Sequence, residues 1–206
     1  MLVHYLEFLQ KKINVIYNPI IDDSFSQLMN EEIYHKWLEN KKYKVIVSVG
    51  RLTKQKDLLT LVKAFGIARE QMNLKLIIIG DGPEYSKLIN EIHKKGLEEH
   101  VDMVGFIQNP YPYMKKADLF VLSSKWEGFG NVIVEALATG VKVVSTDCPS
   151  GPSEILSNGV YGRLVEVESS VDLANAILET ISLDDNTMTI RQERANVFSV
   201  EAAKKK

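Results

Sequence analysis

From Tyr43 onward, short apolar runs alternate with longer stretches in which apolar and polar positions recur at helical spacing. The runs cover 45–49, 74–79, 101–104, 119–122, 141–144 and 163–165. They are apolar almost without interruption, which predicts strands buried on both faces. Helices are expected between them, near 58–69, 84–95, 111–116, 131–139 and 152–156. Strands of this kind separated by amphipathic helices make a parallel sheet covered on both sides. With right-handed crossovers the chain becomes a doubly wound α/β domain, a mainly parallel Rossmann-like sheet whose ligand lies beyond the carboxyl ends of the strands.

Outside that alternation the pattern is weaker. Residues 1–10 show partial helical periodicity through His4, Tyr5, Phe8 and Leu9, residues 13–17 read as a strand, and Asn18-Pro19 ends it. The tail reads as two helices, 171–181 and 184–198.

Glycines mark the turns that follow the strands: Gly50 after the first, Gly80 and Gly82 after the second, Gly105 after the third, Gly128 and Gly130 after the fourth. Their recurrence at the carboxyl ends argues for one shared crevice. GDGPE, at 80–84, has the composition of a tight turn leading into a helix with Pro83 near its start. It lacks the third glycine of the dinucleotide fingerprint, so a turn lining the crevice fits it better than a phosphate cradle.

The chain is organised around residues 123–135, SSKWEGFGNVIVE. A strand leads in and a helix, closed by Gly140, leads out. Gly128 and Gly130 allow a sharp turn and close approach to a ligand, while the amides opening the helix near Asn131 lack intrahelical acceptors. Such a place suits an anion. Glu127 stands before those amides and Glu135 one helical turn after Asn131, on the same face. A carboxylate repels a phosphate, so the pair is better suited to accept hydroxyl groups on either side of a diphosphate. A nucleotide sugar has that form. Arg51 and Lys56, after the first strand, offer a guanidinium and an ammonium to the diphosphate.

Composition narrows the field. At 206 residues, 45% hydrophobic and 25% charged, one well-formed core is the default. A net charge of −2 with scattered basic residues gives no reason to expect nucleic acid as a partner. The single cysteine, Cys148, excludes an intrachain disulfide framework and suits a reducing, cytoplasmic setting. No apolar run approaches the ~20 residues of a membrane helix. The four histidines show no metal-ligand spacing and no Asp-x-Asp triplet occurs, so no metal is expected.

EGFGNVIVEALATG, with VGRLTKQKD at 49–57, GDGPE, VGFIQN at 104–109 and STDCPSGPSEIL at 145–156, resembles the motifs of retaining glycosyltransferases of family four, which have the GT-B fold. The likeness runs from about Asn14 to about Val200, in matching order and spacing. It implies that residues 1–20 end an N-terminal domain and its linker, and that 21–206 form the nucleotide-sugar-binding domain, the C-terminal half of a GT-B fold, with the last helix reaching back across the linker. By resemblance, Arg51 and Lys56 contact the donor diphosphate beside Gly50. Glu127 contacts the transferred hexose and Glu135 the ribose. Gly128 and the backbone around Phe129, Gly130, Asn131 and Val132 take the phosphates, and Phe106 and Ile107 wall the base.

The resemblance further implies no cofactor, a uridine diphosphate sugar as donor, and a lipid-linked or glycan acceptor met mainly by an N-terminal domain. TDCPSGPSEIL and EGFGNVIVEA look most like the bacterial branch that builds surface polysaccharides such as O-antigen and lipid-linked oligosaccharides, often with N-acetylgalactosamine or N-acetylglucosamine. A parent enzyme of that kind would sit in the cytoplasm, peripherally associated with the inner membrane face, and this half alone would turn over little. The rival readings are a sugar-nucleotide epimerase of similar architecture, a glycoside hydrolase using the two glutamates, and a non-catalytic nucleotide-sugar-binding module.

Overall fold

The structure is a computed structural model, described here for residues 17–39, 42–184 and 186–205. The helix expected at 1–10 and nearly all of the strand at 13–17 lie outside the described residues.

In chain order the elements are α1 (Phe25–Leu28), β1 (Lys44–Val49), α2 (Leu58–Arg69), β2 (Leu74–Ile79), α3 (Tyr85–Lys94), β3 (Val101–Gly105), α4 (Tyr111–Lys116), β4 (Leu119–Leu122), α5 (Asn131–Thr139), β5 (Lys142–Thr146), α6 (Pro152–Ile155), β6 (Arg163–Val165), α7 (Ser170–Ser182), α8 (Met188–Asn196) and α9 (Val200–Lys204). The six strands form one sheet in the order β3-β2-β1-β4-β5-β6, every pairing parallel. This is the doubly wound arrangement expected from the apolar runs.

The strands divide their side chains between two cores, as the pleat requires. Ile46, Leu74, Leu76, Ile78, Leu119 and Val121 face α2, α3 and α7, joining Leu61, Phe65, Leu88 and Ile177. Val45, Val47, Ile77, Ile79, Phe120 and Leu122 face the other way, joining Phe25, Met114, Ile133, Leu137 and Phe198. Both faces are covered, which is why the strands read as continuous apolar runs.

The consequence for a ligand lies at the centre of the sheet. β1 and β4 are neighbours, yet α2 packs on one face and α5 on the other. The loops leaving the two strands border the point where the winding reverses, the place at which an open α/β sheet offers a ligand crevice.

The tail departs from expectation in its boundaries. The second tail helix begins at Met188 rather than 184, and a further short helix, α9, follows. Leu183 is 66% exposed, so no burial holds that turn in a helix. Beyond α8 the backbone returns to the first described segment: Ile20 donates to the Phe198 carbonyl at 2.8 Å and Val200 to that of Ile21 at 2.9 Å. Among the described residues no helix is long and apolar enough to cross a membrane.

Candidate functional site

The first wall of the crevice is the loop after β1. Its backbone is locked onto the turn after β2: Leu52 donates to the Asp81 carbonyl at 2.9 Å, and Glu84 donates to that of Leu52 at 2.9 Å. Gly80 and Gly82 permit this contact. A Cβ on Gly80 would lie 2.0 Å from the Gly50 carbonyl oxygen, and one on Gly82 2.6 Å from that of Leu52. GDGPE is thus a turn that shapes the loop bearing Arg51 and Lys56. The Lys56 methylenes lie over Gly50, where an added Cβ would meet Cε at 3.3 Å. Arg51 is exposed and has no side-chain partner among the described residues.

The second wall is the loop between β4 and α5. Gly130 adopts a left-handed conformation, φ 93°, and no side chain caps α5. The amides at the start of that nine-residue helix therefore have no side-chain acceptor. The loop is braced from behind by Gly151, φ 99°, where a Cβ would lie 1.6 Å from the Phe129 carbonyl oxygen. The Phe129 ring packs against Tyr17 and Phe198, with centroids 6.0 and 5.7 Å away. The Phe129 ring thus belongs to an aromatic cluster with these two residues. Gly128 has open space about its Cα.

The two walls meet through charge. Lys56 Nζ donates to Glu127 Oε1 at 2.6 Å across 71 residues of sequence, and the side chains are only 17% and 7% exposed. Ser124 Oγ donates to the same oxygen at 2.5 Å. The expected cation and the expected sugar-facing carboxylate are therefore partners of each other.

Glu135, on α5, has a different setting. Burial is the main cause that pushes its carboxyl above the ordinary range, while a hydrogen bond with the Tyr111 side chain and the charge of Lys56 pull it down. Tyr111 answers in kind: its hydroxyl is pushed up to about 12 by burial, then by the charges of Glu135 and Asp22. It remains a proton donor at neutral pH. Tyr111 also packs on Phe25, with centroids 4.5 Å apart. Tyr111 thus combines a packing role with a polar role that its sequence position does not suggest.

Of the remaining expected residues, Asn131 is exposed and Val132 half-buried at the start of α5. Ile107 packs against the core beneath the loop after β3, whereas the Phe106 ring is 78% exposed. Cys148 is buried, and burial raises its thiol, as an unreactive thiol requires. Sequence reasoning missed Ser124, Thr146, Tyr111 and Gly151. Ser124 alone had a signal, a polar residue two places after a buried strand.

Comparison with known proteins fits this geometry. The family model "Glycosyl transferases group 1" matches residues 29–198. The chain is 37% identical over 194 residues to the Campylobacter jejuni N-acetylgalactosamine-N,N'-diacetylbacillosaminyl-diphospho-undecaprenol 4-alpha-N-acetylgalactosaminyltransferase, a match covering 94% of this chain and 51% of that one. It is 32% identical over 157 residues to the Bacillus subtilis poly(glycerol-phosphate) alpha-glucosyltransferase, covering 76% and 23%. Among solved structures, Anabaena HepE in complex with UDP and glucose superposes with a TM-score of 0.76 at 30% identity, covering 93% of this chain and 55% of that one. The chain thus spans about half the length, or less, of the relatives it matches. The Rossmann-like half expected of a GT-B fold is present, and the chain belongs to the group 1 glycosyl transferases.

Proposed function

We propose that this chain is the donor-binding half of a retaining glycosyltransferase that takes a uridine diphosphate sugar and serves the synthesis of a bacterial surface or lipid-linked glycan. N-acetylgalactosamine and N-acetylglucosamine are the favoured sugars, in line with the name of the Campylobacter jejuni relative. The observation that carries the reading is the convergence, at the β1/β4 crevice, of Lys56 on Glu127 beside uncapped helix amides, with Glu135 one helical turn farther on.

In this reading the diphosphate sits between Arg51, Lys56 and the amides of Asn131 and Val132. Their fixed positive character stabilises the charge that builds on the leaving group as the glycosidic bond breaks, with no metal required. Glu135 accepts the ribose hydroxyls and Glu127 a hydroxyl of the hexose, while Phe106 and Ile107 border the base. The nucleophile comes from a glycan or lipid-linked acceptor held mainly by a second domain, which the length of the relatives leaves room for. The chain alone is then expected to bind donor and turn over little.

Calorimetric titration with uridine diphosphate, guanosine diphosphate and NAD, with and without magnesium, tests this. Metal-independent preference for uridine diphosphate is the expected result. Preference for guanosine diphosphate would move the donor to another nucleotide, and binding of NAD alone would overturn the reading.

A further inference from the structure

Two consecutive serines follow β4, and both are buried, Ser123 at 1% and Ser124 at 0% exposure. Each hydroxyl is committed to one of the crevice's charged residues. Ser123 Oγ donates to the backbone carbonyl of Lys56 at 2.8 Å. Ser124 Oγ donates to Glu127 Oε1 at 2.5 Å, and the Ser124 carbonyl in turn accepts from Thr146 Oγ1 at 2.6 Å. Thr146 is itself fully buried at the end of β5.

Both donors to Glu127, Ser124 Oγ and Lys56 Nζ, converge on Oε1. Oε2 has no hydrogen-bond partner among the described residues. The terminal torsion of a glutamate is broad and roughly two-fold, so an untied carboxylate offers either oxygen over a range of directions. Two donors from different elements remove that freedom. They also leave Oε2 as an acceptor whose orientation needs no further ordering when a ligand arrives.

We propose that Ser124 is a positioning residue for sugar recognition: by pinning Oε1 it aims Oε2 of Glu127 at a hydroxyl of the transferred hexose, with Thr146 holding Ser124 in place. This rests on the reading that Glu127 faces the hexose. Ser124 touches neither nucleotide nor sugar, and its contribution is to the sugar end alone. A general structural role would affect uridine diphosphate and its sugar conjugate together.

The test is calorimetric titration of the 206-residue chain with uridine diphosphate and with UDP-N-acetylglucosamine, UDP-N-acetylgalactosamine and UDP-glucose, in wild type, S124A and T146V. The wild type is expected to bind its preferred sugar conjugate more tightly than uridine diphosphate. S124A is expected to keep its uridine diphosphate affinity while losing about tenfold for the conjugate, the worth of one well-placed hydrogen bond to a charged group. T146V, in which Ser124 remains, should lose part of the same preference. Parallel losses for both ligands in S124A and T146V, or an intact preference in both, would overturn the positioning role. Failure of the wild type to bind uridine diphosphate would instead strike the donor-domain reading itself.

Discussion

The Glu127 and Glu135 ends of the crevice lie within one loop and one short helix, yet they are built on opposite principles. Glu127 is enclosed and compensated, its Oε1 held by Lys56 and Ser124. Glu135 is enclosed and only partly compensated: burial drives its carboxyl upward and Tyr111 offsets part of the cost. A buried carboxylate with two strong donors is a fixed feature, whereas one short of partners has capacity left for hydroxyl groups. Two glutamates of equal sequence weight thereby acquire different chemistry from their surroundings.

The largest effect is expected where the Glu127 loop is braced. Gly151→Ala would force a Cβ into the Phe129 carbonyl at a backbone angle that side chains avoid. A loss of about 3 kcal/mol or more is expected in chemical denaturation. A loss below about 1 kcal/mol would mean that the loop yields easily and does not hold Glu127 in place.

Lys56→Ala comes next, because it leaves the Glu127 charge enclosed beside a lone serine. About 2 kcal/mol of stability should be lost, toward the lower side for a buried pair because the lysine is 17% exposed. Uridine diphosphate affinity should fall by about 1.5–3 kcal/mol if the ammonium also meets phosphate. Unchanged affinity with lowered stability would confine Lys56 to the service of Glu127.

Glu135→Gln is the mildest change and the sharpest on the comparison. The folded protein holds the Glu135 proton more tightly than the unfolded chain does. Its contribution to stability is therefore most favourable below the ordinary value of 4.5, declines as pH rises through the raised folded value, and stays unfavourable above it. The glutamine variant should flatten that slope in thermal unfolding measured across pH, and should be the more stable form at neutral pH. It should also weaken uridine diphosphate and its sugar conjugates equally, by about tenfold. An unchanged pH slope would place the compensation of Glu135 level with that of Glu127.

The fold was legible because its physics is local. Continuous apolar runs at β1, β2 and β4 are what strands buried on both faces must be made of, and each was placed to within a residue. The charged candidates Arg51, Lys56, Glu127 and Glu135 could be named for the same reason, since the glycine turns that mark their loops and helix are also local. What binds them to one another was not legible. Lys56 and Glu127 meet across 71 residues, and Tyr111 reaches Glu135 from a different helix, so no local pattern carries those contacts. GDGPE shows the same limit in reverse: its composition marks a turn, but only the fold shows that the turn presses on Gly50 and Leu52. The four-residue helix α1 is too short to establish a periodicity at all.

In the loop that carries Glu127 the preceding residue is Trp126, and this places a spectroscopic probe beside the candidate site. The chain has two tryptophans. Trp37 is 5% exposed and sits under the ammonium groups of Lys36 and Lys75, whereas Trp126 is 51% exposed, its carbonyl bonded to Gln55 from the opposite wall. Emission quenched by a small aqueous quencher therefore comes mainly from an indole one residue away from the candidate sugar-facing carboxylate, and a change in that loop's exposure can be followed with no label added.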